Sequence, residues 1–180
     1  MNDIIIFDTE TTGLLEPITV PLHKQPKMIE FAAIKLNKEL KEIDRLEFLI
    51  NPGIPIPAHI TKITNITNDM VKNAGTFVTY LDNLQDFFLG VREFVAHNLM
   101  FDHDILSFEL QRLDRLTQFP WPFIRTCTIE QTFHLHGYRL NLAKLYHYCF
   151  QKNFENAHRA MADVEALTQC YIHLKNENII

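Results

Sequence analysis

Asp8 and Glu10, two residues apart directly behind the apolar run Ile4-Ile5-Ile6-Phe7, can do together what neither could do alone. Side chains at i and i+2 of a strand project from one face, so the two carboxylates converge on one point. The run before them lacks polar alternation and predicts a strand covered on both faces, with the carboxylates at its exit. Nothing in such a core would satisfy two charges, whereas a hard divalent cation, which prefers carboxylate oxygens, would. Taken alone, the pair fits a strand-end turn with ordinary capping carboxylates equally well.

Two further motifs change that balance. His97-Asn98-Leu99-Met100-Phe101-Asp102 follows the apolar stretch Phe94-Val95-Ala96, and His158-Arg159-Ala160-Met161-Ala162-Asp163 opens the last amphipathic segment. Read singly, Asp102 is a first-turn helix acid favoured by the macrodipole, a role Asp104 would fill as well. Asp163 is a solvated helix position, although Met161, Val164 and Leu167 place its face near the core. Together the motifs supply four carboxylates and a histidine five positions before the last of them. A shared site accounts for all of these at once.

Positioning such groups takes a sheet and helices in alternation. Strands are predicted at 28–36 and 43–50, joined by the charged turn Asn37-Lys38-Glu39, and at 93–97 and 121–127. Pro17, Pro21 and Pro26 forbid regular pairing over 14–27, and Pro55 and Pro57 keep the segment after Asn51-Pro52-Gly53 extended. Phe77, Leu81, Leu84 and Phe88 recur at helical spacing over 76–89. Helices are also predicted over 101–113, 128–134, 140–150 and 159–175. Three early strands followed by alternating helix and strand indicate an α/β sheet with an antiparallel meander on one side.

The motifs and their order resemble the DnaQ-like 3′-5′ exonucleases of the DEDD superfamily, in the DEDDh subgroup whose last motif carries histidine. The strand with Asp-x-Glu-Thr-Thr-Gly comes first, and Met28-Ile29-Glu30-Phe31-Ala32-Ala33-Ile34 is similar to the family's second strand. Ile63-Thr64-Asn65-Ile66-Thr67 is similar to its connecting turn, and the two histidine motifs follow. Three motifs in order, spread over nearly the whole chain, are a specific signal. The resemblance implies a ribonuclease H-like fold, a central mixed five-stranded sheet flanked by helices. It also implies a metal-dependent 3′-5′ exonuclease that releases nucleoside monophosphates from the 3′ ends of single-stranded DNA, in proofreading or repair. The proofreading subunits of bacterial replicative polymerases are the most similar subgroup, which makes a DNA polymerase catalytic subunit a candidate partner. Two alternatives stay open: an RNA-trimming 3′-5′ exoribonuclease of the ribonuclease T or oligoribonuclease kind, and a non-catalytic nucleic-acid-binding module. The complete set of carboxylates and histidine argues against the last.

Phosphodiester hydrolysis needs an ionised water, in-line attack and stabilised charge on the attacking and leaving oxygens. Two Mg²⁺ or Mn²⁺ ions about 3.5–4 Å apart meet those needs. By resemblance, Asp8 bridges both ions, Glu10 and Asp163 complete the first, Asp102 holds the second, and His158 is the general base. The resemblance further assigns the 3′-terminal nucleotide to Thr11, Thr12 and Gly13, with Leu14 wedged beside its base. Asn98 and Phe101 support that pocket, and His97 either orients the motif backbone or contacts substrate. Lys24, Lys27, Arg139 and Arg159 are candidate phosphate contacts. The chain departs from the family in its long 14–28 segment and at Asn65, where glycine is usual and a left-handed asparagine would serve.

Composition agrees with this reading. A 180-residue chain that is 47% hydrophobic is expected to form a single domain, 1–180, able to bury about 70% of its unfolded surface. Cys127, Cys149 and Cys170 include no C-x-x-C pair, which disfavours a disulfide framework or zinc ribbon and points to a reducing, cytoplasmic setting. His134 and His136 match no common zinc spacing with them. The N-terminus lacks a signal-like pattern, and no apolar run approaches the roughly 20 residues of a membrane span. The net charge of −5 offers no general basic surface to phosphates. Four of those negative charges are the site carboxylates, so a cation-loaded protein would be near neutral. Its grip on long DNA should be weak, as befits an enzyme handed its substrate by a partner.

Overall fold

The structure is a computed structural model and describes residues 3–154 and 158–180. Strands β1 (Ile4–Thr11), β2 (Met28–Leu36), β3 (Glu42–Leu49), β4 (Glu93–Ala96) and β5 (Ile124–Cys127) form one sheet in the order β3-β2-β1-β4-β5. β1, β2 and β3 pair antiparallel as a meander, while β4 and β5 run parallel to β1. This is the mixed five-stranded sheet expected from the sequence. The helices are α1 (Ala58–Thr64), α2 (Asn68–Val71), α3 (Phe77–Phe88), α4 (Leu99–Arg112), α5 (Thr128–His136), α6 (Leu142–Phe150) and α7 (Ala160–Asn176).

The pleat of β1 divides the core in two. Ile5 and Phe7 pack with Phe31, Phe88, Phe94 and Leu106 on the face covered by α3 and α4. Ile4 and Ile6 pack with Ile34, Val95, Val164, Leu167 and Tyr171 on the face covered by α7. Phe7 sits within about 6 Å of the Phe31, Phe88 and Phe94 rings, and burying each such ring stabilises the fold by about 1.5–3 kcal/mol. Because both faces are covered, β1 shows no hydrophobic alternation, as its uniform apolar run implied.

β1 runs through both carboxylates to Thr11, as their shared face required, and sets Asp8 and Glu10 opposite Ala32 and Glu30. Several other elements differ from their predicted bounds. The segment expected to be extended after Pro55 becomes α1 immediately behind Pro57, whose ring-fixed φ, here −60°, suits the start of a helix. α1 ends at Asn65, which adopts the left-handed conformation (φ 59°, ψ 10°) that the sequence required of it. β5 begins only at Ile124, because Trp121 turns inward to pack against Phe119 and His103. α4 begins two residues early, behind Asn98, and α5 runs on to His136.

The 14–27 segment is irregular but well anchored. The buried Gln25 amide donates to the carbonyls of Glu16, Pro17 and Val20, and its oxygen accepts from the Glu16 N–H. Arg112 Nη2 donates to the carbonyls of Leu22, Gln25 and Pro26 at 3.2, 2.9 and 3.0 Å. Side chains thus satisfy backbone groups that strand pairing leaves unmet. Glu109 holds Arg112 at 2.8 Å and accepts the Met28 N–H, which fixes where β2 begins.

Candidate active site

The same division of β1 builds the site. Asp8 and Glu10 continue the even-numbered face and point toward α7, while Thr9 continues the odd-numbered face and points toward α4. From α7, Asp163 brings its carboxylate to Asp8 and Glu10, and ligand oxygens of the three lie within 4.8 Å of one another. From α4, Asp102 comes in from the other side, 2% exposed. Its Oδ1 accepts the Thr9 N–H at 3.0 Å and the Thr9 hydroxyl at 2.7 Å. Asp102 stands outside the trio, yet among neighbouring charges it acts most strongly on Asp8.

Four carboxylates this close cannot all ionise without help. Burial, then repulsion from Asp102, Glu10, Asp163 and Glu30, raises Asp8 well above the ordinary carboxylate range. Burial and repulsion from Asp163, Glu30 and Asp102 push Glu10 up to about 8, against a small opposing effect of Arg159. Burial lifts Asp102 to about 7 even though the Thr9 hydrogen bonds favour its charged form. Asp163 rises to about 6, also by burial, opposed by the His158 N–H. Among the described residues, Asp8, Glu10 and Asp163 form a group of side chains close enough to hold a metal ion. All of its donors are carboxylate oxygens, with no thiolate or imidazole among them, which suits a hard divalent cation.

His158 lies at the start of α7. Its N–H donates to Asp163 Oδ2 at 3.0 Å, its side chain is exposed, and its backbone is left-handed with φ 69°. Arg159, offered by the sequence as a phosphate contact, is instead committed to Glu30: Nη2 donates at 2.6 Å and Nε at 3.2 Å. Glu30 also accepts the Ala160 N–H at 2.9 Å, so it ties β2 to the start of α7 on the strand position opposite Glu10. No role for Glu30 followed from the motifs. Its signal was nonetheless present, since a lone acid in the apolar run 28–34 would be buried and would need a partner. Lys27 and Arg139 are likewise engaged within the chain, with the Pro52 carbonyl at 2.7 Å and with Glu130 at 2.9 Å.

The Thr11 to Leu14 turn is held by its own threonines. Thr11 Oγ1 donates to the Gly13 carbonyl at 2.6 Å, and Thr12 exchanges bonds with Lys27 through its N–H and its hydroxyl. A Cβ at Gly13 would meet nothing within 4 Å, so the space above the turn is open, and Leu14 projects into solvent at 82% exposure. Asn98 is left-handed (φ 79°) and starts α4. Phe101, in the first turn of α4, packs against the core. Of the two roles open to His97, the geometry matches the orienting one: both ring nitrogens are engaged inside the fold. Nε2 donates to the Leu140 carbonyl at 3.0 Å, leaving Nδ1 to accept from Thr128 at 2.9 Å, and burial holds the ring neutral by lowering it to about 4.

Comparison with known proteins agrees with this arrangement. The RNase T family model, described as exonuclease, matches residues 5–171. DNA polymerase III PolC-type of Lacticaseibacillus paracasei is 33% identical over 178 residues, which is 97% of this chain and 11% of the polymerase. That of Bacillus subtilis is 33% identical over 174 residues, 95% of this chain and 11% of the polymerase. The chain therefore spans about a tenth of the length of the curated relatives it matches. Among solved structures, the nuclease domain of 3′hExo, a DEDDh family member bound to rAMP, superposes with a TM-score of 0.79 at 19% identity, covering 99% of this chain and 94% of that one. Exonuclease X in complex with 5′ overhanging duplex DNA gives 0.68 at 21% identity, covering 97% and 93%. The fold is the ribonuclease H-like one, and the chain belongs to the exonuclease family.

Proposed function

We propose that the chain is a 3′-5′ exonuclease acting on single-stranded DNA, with Asp8, Glu10, Asp102 and Asp163 holding Mg²⁺ or Mn²⁺ and His158 serving as general base. The observation that carries this reading is the convergence of Asp8, Glu10 and Asp163 within 4.8 Å, each with its carboxyl pushed above the ordinary range. A hard cation relieves that repulsion, so these residues fit the ion the family implies. When bound, a pair of such ions stabilises charge on the attacking and leaving oxygens of the phosphodiester.

The residues divide the remaining work. Asp8 belongs to the trio and is also the carboxylate on which Asp102 acts most strongly among its neighbouring charges, so it would contact both ions. Glu10 and Asp163 would complete the holding of one ion, and Asp102, steadied by its hydrogen bonds from Thr9, would hold the other. His158, exposed at the mouth of the site, takes the proton from the nucleophilic water, a role typically worth 10²–10⁴-fold. Its backbone bond to Asp163 links base and metal ligand in one short segment. The open space over Gly13 receives the terminal nucleotide and the exposed Leu14 lies beside its base; Asn98 and Phe101 support the far wall, with His97 bracing it from behind.

The resemblance to PolC-type polymerases favours DNA and a proofreading role beside a polymerase catalytic subunit. Degradation of matched 5′-labelled DNA and RNA strands tests the reading. DNA should shorten stepwise from a free 3′ hydroxyl, stop at a 3′-phosphate and cease in chelator. Cleavage of a circular single strand would contradict it, and faster loss of RNA would move the assignment to an exoribonuclease.

A further inference from the structure

A second cleft opens between the end of α5 and the outer face of α6. It encloses about 670 Å³ and is lined by His136, Tyr138, Lys144, His147 and Tyr148, with Asn141 at its rim. The rings form a cluster at the surface: His136 stands edge-on to Tyr148 at 5.1 Å and lies 5.7 Å from Tyr138, and Lys144 reaches over the Tyr138 ring at 5.9 Å. Tyr138 is 52% exposed and Tyr148 37%. The core does not need them, since the inward aromatic of α6 is Tyr146, buried and donating to Gln169. Among the described residues no carboxylate lines the cleft, although the chain as a whole is acidic.

The cleft is joined to the carboxylate site from two sides. Arg139 donates to Asn98 Oδ1 at 3.3 Å, and the Leu140 carbonyl, on the cleft lining, accepts from His97. On the other side, Asn153 lines the cleft five residues before His158, so the chain bounds their separation at about 18 Å. A strand whose 3′ end lies beside His158 therefore has the cleft's Asn153 edge within about 18 Å of that residue.

We propose that this cleft is a stacking subsite for the upstream bases of the same single strand whose 3′ end enters the carboxylate site. Exposed rings accept any base face, and Lys144 supplies the cationic group that a phosphate backbone requires. A local aromatic and basic cleft is how a chain of net charge −5 holds a polyanion. The inference rests on the proposed function for the identity of the strand, and its test separates the two.

The test compares wild type with Tyr138→Ala, Tyr148→Ala and the matching Phe variants. Affinity for a fluorescent oligothymidylate of about ten nucleotides is read by anisotropy in chelator, where nothing is cleaved. Hydrolysis of the p-nitrophenyl ester of thymidine 5′-monophosphate with Mn²⁺ is read in parallel, because that substrate reaches only the carboxylate site. Each Ala variant should weaken oligonucleotide binding by about fivefold to a hundredfold, each Phe variant should keep it, and ester turnover should not change. Equal affinity for the strand in wild type and both Ala variants would overturn the subsite, whatever the ester result. Absence of ester hydrolysis in every protein would instead count against the proposed function.

Discussion

Glu30 stands directly across the β1–β2 ladder from Glu10, yet the two carboxylates have opposite surroundings. Glu30 is fully buried and carries the Arg159 guanidinium and the Ala160 N–H, whereas the strongest charges around Glu10 are those of Asp163 and Glu30, of its own sign. One strand pair thus presents a neutralised anchor beside an uncompensated carboxylate. The anchor sets the start of α7, and with it His158 and Asp163.

Removing the anchor should loosen that start. Glu30→Ala leaves Arg159 and the Ala160 N–H without their acceptor; breaking a buried pair costs about 3–5 kcal/mol, and the partial exposure of Arg159 puts this case near about 3. Denaturant unfolding should show that loss. The double variant with Arg159→Ala should be less destabilised than the two single losses added together, because the orphaned charge is gone. Additive losses would mean that the pair is not coupled.

The raised carboxyls make the cation-free protein sensitive to pH in a defined direction. In the unfolded chain these groups titrate near 4, whereas in the fold Glu10 titrates at about 8, Asp102 at about 7 and Asp163 at about 6. The native state therefore binds more protons than the unfolded one between about pH 4 and 8, and stability falls as pH rises through that window. Thermal melts in chelator should show a steadily lower Tm from pH 5 to pH 8. Glu10→Gln should flatten the trend and raise Tm at pH 8 by about 5 °C. A Tm that climbs over this range would show that the carboxylates do not repel one another as described.

His158 occupies a left-handed backbone that glycine adopts at no cost, so function and fold can be separated at this position. His158→Gly should melt at or above the wild-type temperature while turnover on single-stranded DNA falls about 10²–10⁴-fold. Added imidazole or higher pH should restore part of the rate. Full turnover in the variant would move the general base elsewhere and leave His158 as a helix-capping residue.

Much of the site is legible in the sequence because its motifs are local. Asp8 and Glu10 share a face by strand periodicity, and Asp102 and Asp163 each follow a histidine at the opening of a helix. What is hard to read depends on register and on long-range partners. The role of Glu30 follows from the pairing of Glu10 with Glu30 and from Arg159, 129 positions away. The anchoring of His97 needs Leu140, 43 positions on. α1 escapes for a local reason: Pro55 and Pro57 argue for extended chain, but the second proline serves equally well as a helix cap.

The central claim is that Asp8, Glu10, Asp102 and Asp163 make one cation site, and Mn²⁺ titration calorimetry at pH 7 tests it most directly. Because Glu10 titrates at about 8 and Asp102 at about 7, Mn²⁺ binding to the wild type should release protons, seen as a heat that depends on the buffer's ionisation enthalpy. Asp8→Asn should abolish both the binding and the proton release while the protein stays folded. Unchanged Mn²⁺ affinity in Asp8→Asn, with no proton release in the wild type, would contradict the account.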